Sequence, residues 1–430
     1  YDDVNLFVEP ASFLSKVKSK QDSYSFVDSV MATPLPTYGF DYSLVRNPDI
    51  DTAYNALITY VIPGSPAAQA GLERGDWIMK VDTSYISKKY ETYLLQGTKA
   101  VKLTLGEWKE VEIEDEEDGN EGGDGEDEGP TMEYRVGPID DPVEMPAAQI
   151  VEDNPVHKYE IIESPVKKIR VGYLMYNSFT AGTKAEPEKY NNELRSVSQK
   201  FKEAGVQAVI LDLRYNEGGS MDCVQLLGTI LTSADRLGEP MAYLEYNDKN
   251  TDKDATILFG TDREINLNLH SLIAITSGTT MGAPEMLIRS LFLEDTYPIA
   301  TVGSSTKGQN VATEQFINEE FLWSVNPVVC TVYNSQHDTY GAISPATDLK
   351  VSETTIDGST NYSEFLPFGT FDKDGKSERL LKIAIGVLDG TYPPKDDETP
   401  EESTTQTRFK VEKSASSPAS RRFSSKGLRL

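Results

Sequence analysis

The 430-residue sequence is poor in cysteine and histidine, lacks long apolar runs and is deficient in positive charge. Its two cysteines, Cys223 and Cys330, lie far apart without C-x-x-C spacing, which excludes a disulfide framework and a zinc knuckle. The three histidines, His157, His270 and His337, match no metal-ligand spacing. No metal and no cofactor are therefore expected. The longest apolar stretches, such as "SLIAIT" at 271–276, are strand-sized and far short of the roughly 18 residues of a membrane span. With 41 Lys and Arg against 69 Asp and Glu, the net charge of −28 argues against a nucleic-acid partner, because phosphate binding needs a basic surface.

What is present is enough for real cores: 38% hydrophobic residues, with 22 Tyr and 15 Phe. The length exceeds what one core usually serves, so two or three domains are expected. Residues 1–33 read as an amphipathic helical lead with Pro10 near a first turn. Alternating strands then bracket "GSPAAQAG", a short helix, and "GLERGDWI", a turn entering a strand. The run "EIEDEEDGNEGGDGEDEG" from 112 is nearly all Asp, Glu and Gly; it reads as a disordered, solvated insertion spanning 112–130. A calcium loop is disfavoured because the D-x-[DN]-x-[DN]-G pattern with its terminal Glu is absent.

From 168 the pattern alternates strand and helix. "KIRVGYLMYNSF" is a strand, "AEPEKYNNELRSVSQKFKEAG" a helix closed by Gly205, and "VQAVILDLRYNEGG" an apolar strand entering a glycine turn. "MDCVQLLGTIL" is a helix, "SLIAITSG" a buried strand, "APEMLIRSLF" a helix and "IATVGSST" a strand. Apolar strands alternating with helices imply an α/β layered core. The Ser/Thr-rich, weakly basic end of the chain, 391–430, reads as a poorly ordered tail.

Four segments in this order resemble the C-terminal processing (tail-specific) serine peptidases, in the form found in envelope proteins of Bacteroidetes-type bacteria. They are "YGFDY" (38–42) followed by "GSPAAQAGLERGDWI" (64–78), "VGYLMYNSF" (171–179), "LDLRYNEGG" (211–219) and "VGSSTKGQNV" (302–311). The resemblance covers roughly residues 11–390. It implies an α/β multidomain chain: a helical lead (1–33), a PDZ domain (34–140), a crotonase-like peptidase core (141–390) and the tail (391–430). It also implies an exported, periplasmic or envelope-associated protein. The chain opens at Tyr1 without an apolar leader, so any export signal is expected to have been removed or never present.

The same resemblance assigns candidate residues. In a PDZ domain a peptide adds as a strand at a sheet edge and its carboxylate meets backbone N–H groups, a role that falls here on Tyr38, Gly39 and Phe40. The turn at Gly218 and Gly219 would help form an oxyanion hole, where each preorganised donor is worth roughly 3–4 kcal/mol. Glu217 stands where the family often has Gly. The family's nucleophile lies in a Ser-Ala-Ser-Glu stretch, which maps onto Gly282-Ala283-Pro284-Glu285. Its general base, a Lys, maps onto Gln309. Glycine cannot attack a carbonyl, and an amide cannot usefully accept the proton.

Three functions follow as expectations. The first is a pseudopeptidase that binds extended peptides or protein C-termini without cutting them. The second is an active serine- or threonine-type endopeptidase with a displaced dyad, Thr280 with Lys307. Lys307 is two residues from Gln309, a shift of roughly 6–7 Å along a strand, and catalysis tolerates displacements of only about 1 Å. The third is a non-enzymatic envelope component.

Overall fold

A computed structural model describes residues 9–29, 35–113, 131–318, 320, 323–351, 355–356, 359–360, 365–372, 375–393, 411–412 and 426–430. The bulk of the acidic insertion, 114–130, and the tail segments 394–410 and 413–425 lie outside the described residues.

The lead is less helical than its spacing suggests. Helix α1 (Pro10–Val17) carries proline in its first turn, as expected, but Phe26–Ser29 is a strand paired antiparallel with Trp323–Asn326. An isolated amphipathic pattern does not anticipate a partner so distant in sequence.

Next comes a mixed-size antiparallel sheet built from Phe40–Arg46, Tyr54–Val61, Trp77–Val81, Val101–Ile113 and Thr131–Pro138. Helices α2 (Pro66–Gln69) and α3 (Glu91–Leu95) cover it. Ser65 caps α2 by accepting the Ala68 N–H at 3.2 Å. The edge strand Phe40–Arg46 takes one further neighbour, Val411–Glu412, with Leu44 opposite Glu412 and Val45 opposite Val411.

The larger part centres on a five-stranded sheet in the order Ile299–Gly303, Leu272–Thr276, Ala208–Asp212, Arg170–Tyr176, Val156–Glu163. The first four run parallel and the last pairs antiparallel. Both faces are buried. Tyr173, Met175, Ile210, Ile273 and Ile275 point to one apolar cluster, while Leu174, Tyr176, Val209, Leu211 and Ala274 point to the other. That is the two-residue period of a strand, and it explains the continuous apolar runs in the sequence. Helices α4 (Lys189–Glu203), α5 (Met221–Leu231) and α6 (Ala283–Leu291) contribute to the larger cluster, and α7 (Arg379–Asp389) to the smaller.

A second sheet of six strands closes the larger cluster. Its order is Gly218–Ser220, Gly427–Arg429, Val311–Thr313, Val328–Tyr333, Pro240–Tyr246, Ala255–Leu258. Here the structure departs from the expectation of a poorly ordered tail. Residues 427–429 are an interior strand, parallel to both neighbours. Leu428 is 1% exposed and belongs to the larger core. Burial of that leucine and two ladders of backbone hydrogen bonds offset the ordering cost that a polar tail would not recover.

Candidate active site

The parallel strand Ala208–Asp212 ends in a turn anchored by buried charge. Arg214 is fully buried, with its Nε 3.0 Å from Asp212 and its Nη1 2.9 Å from Glu378. Glu378 also accepts the Leu381 N–H at 2.9 Å, so the turn is tied to the start of α7. Asn216 donates to the Tyr176 carbonyl at 2.8 Å and accepts the Gly218 N–H at 3.0 Å. Gly218 and Gly219 have φ of +126° and +138°, values that favour glycine, and a Cβ on either would come within 3.0 Å of backbone atoms.

Helix α6 starts beside this turn. The Met281 N–H donates to the Asn216 carbonyl at 3.1 Å. Gly282, at the N-cap, has φ +70° and ψ −100°. Glu285 is fully buried and organises everything around it. Its carboxylate accepts the N–H groups of Gly282 at 2.8 Å, Gly308 at 2.5 Å and Gln309 at 2.9 Å, together with the Thr306 hydroxyl. The positions equated with nucleophile and base are thus bonded to one carboxylate. Gln309 is 2% exposed; its Nε2 donates to the Val311 carbonyl at 3.0 Å, and its Oε1 is buried without a partner.

The displaced-dyad candidates sit differently. Thr280 is fully buried; its hydroxyl donates to the Leu213 carbonyl at 2.9 Å and accepts the Ser277 N–H at 3.0 Å. Thr279 and Ser277 both donate to the Arg214 carbonyl. Lys307 is exposed, and its N–H donates to the Thr280 carbonyl at 3.0 Å. Among other nucleophile types, burial pushes the Cys223 thiol up to about 12 and the Cys330 thiol up to about 11, so neither supplies a thiolate near neutral pH. His157 stacks on Tyr60, and His337 stacks on Tyr243 beside Glu245.

Sequence reasoning missed the neighbour that fills this place. The Gly427 N–H donates to the Glu217 carbonyl at 2.6 Å, and the Leu430 N–H donates to the Thr313 carbonyl at 3.0 Å. Burial raises the Glu217 carboxyl above its ordinary value, against the pull of the Lys426 and Lys307 charges. The only sequence signal was the alternation in "GLRL", with leucines two apart. A surface depression of about 640 Å³, lined by Phe371, Asp372, Arg379 and Tyr392 among others, lies instead beside α7.

At the other candidate site, Tyr38 and Phe40 are buried and their rings stack 6.4 Å apart. Gly39 has φ +81°, and a Cβ there would come within 3.0 Å of the Ser65 side chain. Its N–H donates to Thr37 Oγ1 at 3.0 Å. These residues lead directly into the edge strand that pairs with Val411–Glu412.

Residues 170–325 match Peptidase family S41, and residues 57–104 match the PDZ domain. A solved structure of a protein assigned to the S41 proteases, from Bacteroides fragilis, is similar over 89% of this chain and 91% of its own, at 39% identity and a TM-score of 0.75. The photosystem II D1 C-terminal processing protease is a more distant likeness: 17% identity, 77% of this chain and 78% of that one, TM-score 0.39. No curated protein sequence matches the chain.

Proposed function

Because the chain belongs to peptidase family S41, we propose that it is a pseudopeptidase: it binds extended peptide segments or protein C-termini in the family cleft and does not hydrolyse them. The observation that carries this reading is Gly282. It stands at the start of α6, against the glycine turn, with no side chain and no room for one. A Cβ there would lie 2.5 Å from the Leu428 nitrogen and 2.6 Å from the Gly427 Cα. Gln309, the second matched position, presents an amide rather than an amine.

The relocated alternative finds little support. The Thr280 hydroxyl is committed to a backbone carbonyl in the core, and Lys307 is exposed, so neither has the buried pairing that activates a hydroxyl nucleophile. What the site retains suits binding. The glycines at 218 and 219, the first turn of α6 and the slot between Gly218–Ser220 and Val311–Thr313, which an extended strand already fills, match an extended backbone. The division into a PDZ part (34–140) and a peptidase-like core (141–390) belongs to this reading. So does an exported, envelope-associated setting. Among the described residues no helix is long and apolar enough to cross a membrane.

Incubation of the purified full chain with casein tests the proposal. We expect no fragments by mass spectrometry. Cleavage that is lost in Thr280→Ala or Lys307→Ala would replace it with the displaced dyad.

A further inference from the structure

The cleft is already filled, and by the chain itself. We propose that the groove between Gly218–Ser220 and Val311–Thr313 is a sequence-reading peptide site whose resident ligand is this chain's own segment 426–430, and that it selects an extended glycine–leucine sequence. This rests on the peptide-binding reading above and names the ligand of that same site.

Three features point to it. The first is topology. Gly427–Arg429 lies parallel to both flanking strands and is the element that joins them. That is strand addition, performed by a segment connected to the rest of the core only through the distant stretch after α7.

The second is the match between glycines. A Cβ on Gly218 would come within 3.0 Å of Gly427 N, C and O; one on Gly282 would come within 3.0 Å of Gly427 C and Cα and Leu428 N. A Cβ on Gly427, which has φ +73°, would strike the Gln309 side chain within 3.0 Å. The Gly427–Leu428 peptide bond therefore sits where a side chain at 282 would project. The absent side chain is what makes room for the ligand, and a serine there would exclude it.

The third is side-chain reading on either side of that bond. Leu428 enters the apolar core, and the Thr313 hydroxyl donates to its carbonyl at 3.2 Å. Ahead of the bond, the Gly427 N–H donates to the Glu217 carbonyl at 2.6 Å, and Glu217 has one carboxylate oxygen buried and without a hydrogen-bond partner. The same stretch of chain also pairs at Val411–Glu412 with the edge strand Phe40–Arg46, the edge expected to take peptides. One tether thus occupies both peptide-binding edges.

A tethered ligand competes strongly. With an effective concentration of about 1 mM and an intrinsic Kd of about 10 µM, a free peptide of the same sequence binds roughly 100-fold more weakly than to an open cleft. The test uses a fluorescent peptide spelling residues 423–430, capped at both ends, titrated by polarisation into the full chain. The hosts are the wild type, Leu428→Asp and Gly427→Val, each checked for its folded melting transition. Both variants should eject the segment and bind the peptide at least 10-fold more tightly than the wild type. A peptide carrying alanine in place of its glycine, or aspartate in place of the leucine after it, should lose that binding. Equal affinity for all three hosts, no binding to any, or indifference to the peptide's glycine and leucine would overturn the proposal. If one variant does not fold, the other decides. If neither folds, amide exchange of 427–430 in the wild type decides: slow exchange supports the resident strand and fast exchange overturns it. A wild-type dimer that dissociates in Leu428→Asp would overturn the intramolecular assignment in favour of a second copy. Hydrolysis of the peptide would sink the pseudopeptidase reading while leaving the occupancy intact.

Discussion

Replacing Gly282 with alanine probes the coupling between the position proposed to match the family's nucleophile and the segment that covers it. The backbone at 282, φ +70° and ψ −100°, is a conformation alanine rarely adopts, which costs about 1–3 kcal/mol. The new Cβ also meets the backbone of residues 427 and 428 within 3.0 Å, and no flexible side-chain end is available there to yield. The cheapest relief is release of the segment, which forfeits the burial of Leu428, about 1.5–3 kcal/mol. The total is roughly 2.5–6 kcal/mol, or a fall of about 5–24 °C in the melting temperature of a unit this size. Release also sets the signature. In a Leu428→Asp background the segment has already left, so Gly282→Ala should then cost only the backbone strain. A calorimetric double-mutant cycle should therefore show a coupling of about 1.5–3 kcal/mol. Additivity within about 0.5 kcal/mol would refute the reasoning, because it would mean that residue 282 and Leu428 do not share a space.

Other outcomes follow from the same geometry. Gly282→Ser with Gln309→Lys should remain inactive on casein in the full chain, since the serine has no room beside the segment. Adding Leu428→Asp should be needed before slow turnover is seen. Glu285→Ala should cost about 3 kcal/mol or more, because three N–H groups and the Thr306 hydroxyl lose their acceptor, with Glu285→Gln falling between; urea denaturation reads both. Burial pushes the Asp389 carboxyl up, but the N–H groups of Val166 and Lys167 outweigh it and hold the carboxyl below its ordinary value. That stability is present above the unfolded pKa, about 3.9, and fades as pH falls through the lower folded value. Asp389→Ala should therefore narrow the melting-temperature gap to the wild type in acid and show it fully near neutrality.

The parts of the fold that were readable were those with a local period. The apolar runs at 171–176, 208–212 and 272–276 announced strands covered on both faces, and Gly205 marked where a helix ends; the 218–219 pair, expected as a strand-ending turn, instead opens the short strand Gly218–Ser220, because the preceding strand already stops at Asp212. The start of α6 was placed by the Gly-Ala-Pro-Glu register, and the structure adds why that glutamate matters: it is the hub that binds both candidate positions. What stayed illegible was pairing across long separations. Phe26–Ser29 and Gly427–Arg429 are short strands with one or two apolar residues each, set in polar surroundings, and composition reads such stretches as lead or tail. Their stability comes from partners far along the chain, which no local window contains. The matched glycines at 218, 282 and 427 could be seen singly, but only their meeting in space explains them.

The central claim, binding without cutting, is tested most directly by incubating the full chain with casein and with the capped 423–430 peptide, and following both by mass spectrometry over many hours. The account predicts that both substrates remain intact, and that the Leu428→Asp chain retains the peptide uncleaved on size exclusion. Steady turnover by the unmodified chain, abolished by Thr280→Ala or Lys307→Ala, would contradict it.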